Sequence, residues 1–322
     1  MQTYSYYPGC SLERNAAAYH DSLMAVAEAL DLRFEEVEDW NCCGATEYIT
    51  IDLLPAYALV SRNLALAARH CNGNGRSLVA PCSACFLNLK KTDHYMAESP
   101  DLSRQVNQAL AAGGLHYEPG SVHVKHLLET IVEDVGFEKV ARAVKRPLYN
   151  LKVAPYYGCL IVRPALGAAF DDAEQPTSMD TLMRTIGADV VDFPAKAQCC
   201  GGHMTQISEE VALQLIHSLL KNAVDHGADV IVTICPMCQL NLDAYQDAVN
   251  QYFGTDFNIP ILYFTQLLGL SFGFGETTLG IGKEMVAARP ALSRIQTSPP
   301  KAPRRKRPSK KELPMPLALE EV

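Results

Sequence analysis

Thr3-Tyr4-Ser5-Tyr6-Tyr7-Pro8-Gly9-Cys10 and Lys152-Val153-Ala154-Pro155-Tyr156-Tyr157-Gly158-Cys159 are two versions of one phrase, a short β-type run that ends in Gly-Cys. The stretch after each phrase repeats as well. A helical segment comes next, at 15–31 and at 178–187, with apolar residues at three-to-four spacing. A short strand comes after it at 33–37 and at 189–193, and then Cys42-Cys43-Gly44 or Cys199-Cys200-Gly201. Long helical segments at 52–70 and 208–226 lead to apolar runs at 77–80 and 229–234. These runs deliver Cys82-Ser83-Ala84-Cys85 and Cys235-Pro236-Met237-Cys238, and further helices are expected over 86–96 and 239–252. Last come His126-Leu127-Leu128-Glu129 and Gln266-Leu267-Leu268-Gly269, each behind a β-like run. The offsets between matching landmarks are 149, 157, 153 and 140 residues, as expected for one duplicated unit with insertions and deletions.

Strands that alternate with helices predict an α/β fold of two pseudo-symmetric repeats, each a mainly parallel sheet flanked by helices. The expected division is 1–147, 148–275 and an extension over 276–322 whose end is basic and Pro-rich. Residues 298–322 carry +4 and leave the rest of the chain at −12, against a formal total of −8. An acidic body argues against nucleic-acid binding, and a Pro-rich basic tail cannot bury a core and is expected to be disordered. The opening residues 1–7 have neither a basic nor an apolar leader region. The expectation is therefore a reducing cytoplasm, where grouped cysteines signal metal or catalysis more than disulfides. The longest uncharged stretch, 257–275, is read as a buried strand and a short helix, with no direct membrane span.

Ten of the 11 cysteines fall in the repeated pattern: Cys10, Cys42, Cys43, Cys82 and Cys85, then Cys159, Cys199, Cys200, Cys235 and Cys238. Thiolate is the softest common protein ligand and suits iron–sulfur clusters, zinc or copper(I). Tetrahedral zinc takes four ligands and would leave one thiol over in each repeat. Adjacent cysteines diverge on an extended backbone, so Cys42 and Cys43 reach two irons of an extended centre more readily than one small ion. Gly44 and Gly201, and also Gly9 and Gly158, are expected to let the backbone pass close to such a centre. The ferredoxin run C-x2-C-x2-C-x3-C-P is absent from the sequence. Also absent are a G-x-G-x-x-G fingerprint behind a strand and a phosphate-binding P-loop, so neither flavin nor nicotinamide is expected on this chain. His203, just past Cys199-Cys200-Gly201-Gly202, is a candidate proton donor to a leaving thiolate. Arg14 and Arg163, each four residues past the first cysteine of a repeat, are candidates to steer an anionic substrate, with a surface ion pair as the plainer role. Cys71 lies outside the pattern and is read as an incidental thiol.

These residues resemble the CCG domains of the heterodisulfide reductase B subunit, over about residues 1–270 and all ten patterned cysteines. The resemblance implies two noncubane 4Fe–4S clusters, one per set of five cysteines, with a disulfide clamped and cleaved between them. It implies an oxidoreductase acting on thiols and disulfides, small or protein-bound, as one subunit of a larger complex, and the sulfur-oxidising bacterial relatives of the family are one setting for it. A flavin-containing heterodisulfide reductase-like subunit and a ferredoxin-like iron–sulfur subunit are the implied partners. The alternative is a non-catalytic electron-transfer or anchoring subunit of a succinate or lactate dehydrogenase-type complex.

Overall fold

The computed structural model describes residues 2–299 apart from 46–47, 72–76, 165 and 167–169. The end of the basic tail, from residue 300, and the side chain of Cys71 lie outside the described residues.

Two four-stranded parallel sheets carry the fold, ordered β2-β1-β3-β4 and β6-β5-β7-β8. The first contains β1 (Gln2–Tyr6), β2 (Leu32–Glu36), β3 (Leu78–Ala80) and β4 (Val124–His126). The second contains β5 (Lys152–Tyr156), β6 (Asp189–Val190), β7 (Val230–Thr233) and β8 (Ile261–Tyr263). The registers correspond: Tyr6 pairs with Val79 in the first sheet and Tyr156 with Thr233 in the second. The central strands β3 and β7 read Leu-Val-Ala and Val-Ile-Val-Thr and are buried throughout. Parallel strands covered by helices on both faces need such unbroken apolar runs.

Between the strands of the first repeat run α1 (Ala17–Ala29), α2 (Tyr48–Ile51), α3 (Leu53–Cys71), α4 (Ser83–Glu98) and α5 (Pro100–Ala111). Behind β4, α6 (Leu127–Glu129) continues through a wider turn, Thr130–Val135, to α7 (Phe137–Ala143). The second repeat has α8 (Ser178–Thr185), α9 (Met204–Ile207), α10 (Glu209–Asp225), α11 (Pro236–Ala244), α12 (Gln246–Phe253), α13 (Phe264–Ser271) and, in the extension, α14 (Arg289–Leu292).

Several boundaries differ from the sequence reading. The strand expected to reach residue 193 stops at Val190, where its pairing with β5 ends, and Pro194 then opens a short tight turn, Pro194–Ala197. The segment 239–252 is two helices broken at Tyr245. The helices behind the Cys-x-x-Cys pairs begin at Ser83 and Pro236, not past the second cysteine. Cys82 and Cys235 therefore stand at the N-caps, and Cys85 and Cys238 lie in the first turns.

The halves share one core. Helix α1 of the first repeat packs on α13 of the second, where Ser22 and Thr265 join their hydroxyls at 2.7 Å in the interior. The Tyr19 and Tyr263 rings stack 4.3 Å apart. The extension crosses this seam: Gln266 donates to the Leu279 carbonyl, and a Cβ on Gly280 would meet Ala18 at 2.7 Å. At its end the Gln296 N–H returns to the Tyr149 carbonyl at 2.9 Å.

Candidate functional site

Because every strand of a sheet runs the same way, the chain leaves all of them at one edge, and the loops there gather residues far apart in sequence. Cys10 follows β1, Cys42 and Cys43 follow β2, and Cys82 and Cys85 follow β3. Cys159, the pair Cys199–Cys200, and Cys235 with Cys238 follow β5, β6 and β7.

The thiols of each set meet. In the first, Cys10 Sγ lies 3.6 Å from Cys42 Sγ, and Cys43 Sγ lies 3.4 Å from Cys85 Sγ. In the second, Cys200 Sγ lies 3.4 Å from Cys238 Sγ, and Cys159 shares a hydrogen bond with Cys199. The sets also touch each other, through a hydrogen bond between Cys82 and Cys235. None of the ten is in a disulfide.

Protons are unevenly shared, in the same way in both halves. The hydrogen bond to Cys42 pushes the Cys10 thiol up and pulls Cys42 down, and the Cys159–Cys199 bond does the same to its partners. The charge of Arg163 further favours the Cys199 thiolate. Cys235 is held well below its ordinary value, by bonds from Cys238 and Cys82 and then by the backbone N–H groups of Cys238 and Met237 at the start of α11. A helix N-terminus favours a thiolate in this way.

A cavity of about 270 Å³ is lined by all five cysteines of the second set, with Tyr157, Leu160, Met204, Ile207 and Met237 making much of its wall. His203 lines the same cavity, so the structure brings this candidate to the second set. At the first set, Cys10 and Cys42 open on a shallower groove of about 540 Å³ beside Glu13, Arg14, Glu36, Glu38 and Asp39. Arg163 donates to the Ala197 carbonyl and pairs with Glu174 at 3.2 Å, so the plainer role expected of it is present.

Two glycines test whether these pockets suit a bulky sulfur-ligated group. A Cβ on Gly9 would stand 2.9 Å from Cys85 Sγ, and one on Gly158 would stand 3.1 Å from Cys238 Sγ. Both have positive φ, +73° and +67°. A side chain at either would crowd that sulfur. Gly44 and Gly201 were expected to let the backbone pass close to the same centre. An added Cβ there would meet Tyr48 and Ala212 and not a sulfur, while Gly201 lines the second cavity and its N–H points at Cys199 Sγ. Among the described residues, no three His, Cys, Asp or Glu are arranged to hold one bare ion. The thiols of the second set surround a volume, which with soft donors fits a multi-iron centre.

Four residues that support the cysteines were not singled out from sequence. Tyr7 donates to the Asn41 carbonyl at 2.7 Å and Tyr156 to the Gln198 carbonyl at 2.8 Å, in each half the residue just before the cysteine pair. Asn88 donates to the carbonyls of Cys43, at 3.1 Å, and Ala45. Asn241 donates to those of Cys200, at 3.1 Å, and Gly202, at 2.7 Å. A signal was present: Cys85-Phe86-Leu87-Asn88-Leu89 and Cys238-Gln239-Leu240-Asn241-Leu242 are both Cys-x-Leu-Asn-Leu. Between the halves, the Tyr19 hydroxyl reaches the carbonyls of Pro81, at 3.3 Å, and Ile234, at 3.2 Å, the residues ahead of Cys82 and Cys235.

Comparison with known proteins agrees with the duplication. The CCG family, described as a cysteine-rich domain, matches residues 4–90 and again 153–243. The 8-methylmenaquinol:fumarate reductase membrane anchor subunit of Wolinella succinogenes is 33% identical over 288 residues, 89% of this chain and 98% of the relative. The B subunit of the ferredoxin/F(420)H(2)-dependent CoB-CoM heterodisulfide reductase of Methanosarcina acetivorans is 31% identical over 303 residues, 92% of this chain and 97% of the relative. A crystal structure of a hypothetical protein from Helicobacter pylori shares the fold, with a TM-score of 0.71 and 17% identity over 89% of this chain. This chain spans about half of it, 52%. Among the described residues, no helix is long and apolar enough to cross a membrane.

Proposed function

We propose, since this chain belongs to the CCG-domain family of the heterodisulfide reductase B subunit, that it is a catalytic iron–sulfur subunit interconverting a disulfide and thiols. The observation that carries this reading is the cavity lined by all five thiols of the second set, with the first set in contact through Cys82 and Cys235. Cys10, Cys42, Cys43, Cys82 and Cys85 would hold one noncubane 4Fe–4S cluster, and Cys159, Cys199, Cys200, Cys235 and Cys238 the other. Bound there, the two clusters would supply one electron each to a two-electron sulfur–sulfur exchange, and open iron for the sulfurs.

The chain's own residues do the rest. Asn88, Asn241, Tyr7 and Tyr156 fix the backbone that presents the paired cysteines. Leu160, Met204 and Ile207 give the cavity of the second set an apolar wall. His203, which lines the same cavity, would move a proton to or from a thiol. Electrons would pass through a flavin-containing heterodisulfide reductase-like subunit and a ferredoxin-like subunit in the cytoplasm, and the potentials of those partners set the direction.

A second reading, an electron-transfer or anchoring subunit, is favoured by the relative in Wolinella succinogenes. One experiment separates the readings. The protein is purified without oxygen, iron and acid-labile sulfide are measured, and EPR spectra are recorded with and without thiols. About eight irons per chain with a thiol-dependent paramagnetic state is the expected result. Full clusters that ignore thiols would favour the relay, and zinc without sulfide would sink both.

A further inference from the structure

The two halves repeat each other in backbone but not in what faces the sulfurs. Asn88 and Asn241 hold equivalent places and make equivalent bonds to carbonyls. Asn241 also brings its amide to Cys200 Sγ, at 3.7 Å. The Gly201 N–H points at Cys199 Sγ at 3.3 Å, as the Gly44 N–H does at Cys42, so this donor is common to both sets. What the second set adds is the Arg163 guanidinium, paired with Glu174 and anchored on the carbonyl of Ala197, two residues before Cys199. Around the first set, Cys10 and Cys42 share their groove with four carboxylates: Glu13, Glu36, Glu38 and Asp39. Of the basic side chains there, Arg62 is taken up by Asp39, which leaves Arg14 against the remaining three.

Reduction adds negative charge to a thiolate-ligated cluster. N–H donors and cations at the sulfurs stabilise the reduced form and raise the potential, whereas nearby carboxylates lower it. An apolar wall alone would also lower the potential, since it solvates charge poorly. The same low dielectric strengthens a fixed hydrogen bond inside it, and the carboxylates of the first groove have no counterpart in the second cavity.

We infer that the two sites are unequal by construction: the second set is the electron-accepting end of the chain, held at the higher potential by Asn241 at Cys200 and by Arg163 beside Cys199. Asn241 is then a positioning residue with an electronic role that Asn88 lacks. Electrons entering at the first set run downhill across Cys82 and Cys235 into the half with the apolar cavity. This inference rests on the cluster assignment proposed above.

The test is an anaerobic redox titration of the full chain with its native clusters, followed by EPR. The wild type is expected to show two resolved midpoint potentials. Asn241→Ser should move the higher one down and leave the lower in place, and Asn88→Ser should move neither by as much. The surface variant Glu36→Gln/Glu38→Gln, which leaves the core untouched, should move the lower one up. One shared potential would overturn the inference, as would Asn241→Ser moving the lower wave or the charge variant moving the higher. Each of these outcomes leaves the cluster assignment standing. Zinc without sulfide removes the assignment and the inference together.

Discussion

The smallest residue in each repeat makes one of its sharpest demands. Gly158 has φ +67° and a Cβ there would sit 3.1 Å from Cys238 Sγ. Gly254 has the same φ, +67°, but a Cβ there would have nothing within 4 Å. Left-handed backbone costs an ordinary residue roughly 1–2 kcal/mol, so both alanine substitutions should lower stability by about that much. They should part in metal content. Gly158→Ala is expected to lose most of the iron of the second site, toward half the wild-type total, while Gly254→Ala keeps it all. Iron and sulfide assays on both variants, beside their melting temperatures, separate the two effects. Equal iron in both would remove Gly158 from the site.

At the scale of elements, much of the fold could be read from periodicity because the duplication supplied each signal twice. The apolar runs at 77–80 and 229–234 became β3 and β7, and the helical spacing at 208–226 became α10. Less legible were the points where one element hands over to the next. That Cys82 and Cys235 cap helices follows from how abruptly each strand turns into a helix, which side-chain spacing does not encode. The carbonyl clamps of Asn88 and Asn241 were visible only as a repeated pentad, since their partners lie 45 and 41 residues away in the chain. Tyr19 was hidden altogether. It sits 215 residues from Ile234, and nothing local marks it as the hydroxyl shared by both halves. Tyr19→Phe keeps the stack on Tyr263 but removes the hydroxyl from the Ile234 carbonyl in the interior, while His126 still reaches that of Pro81. Unpaired buried polar groups cost about 1–3 kcal/mol, so chemical denaturation should show a loss of that order, and a loss below about 0.5 kcal/mol would show the bridge to be idle.

At the scale of the whole molecule, two sheets with identical strand order are locked into one body by α1, α13 and the extension that crosses them. Its apolar interior is continuous from Tyr4 to Leu292. Calorimetry should therefore find one cooperative unfolding transition for the full chain, and two separated transitions would show the halves to be independent. The contact between Cys82 and Cys235 has a further consequence, for the protein's dealings with air. Ten reduced thiols within reach of one another form a chain of ready partners for oxidation, and one link crosses between the halves. A polypeptide that meets oxygen before its sulfurs are engaged can cross-link itself in many combinations, few of which leave either pocket open. On the proposed cluster assignment, loading must then outrun oxidation, and the order of events during maturation matters as much as the final architecture.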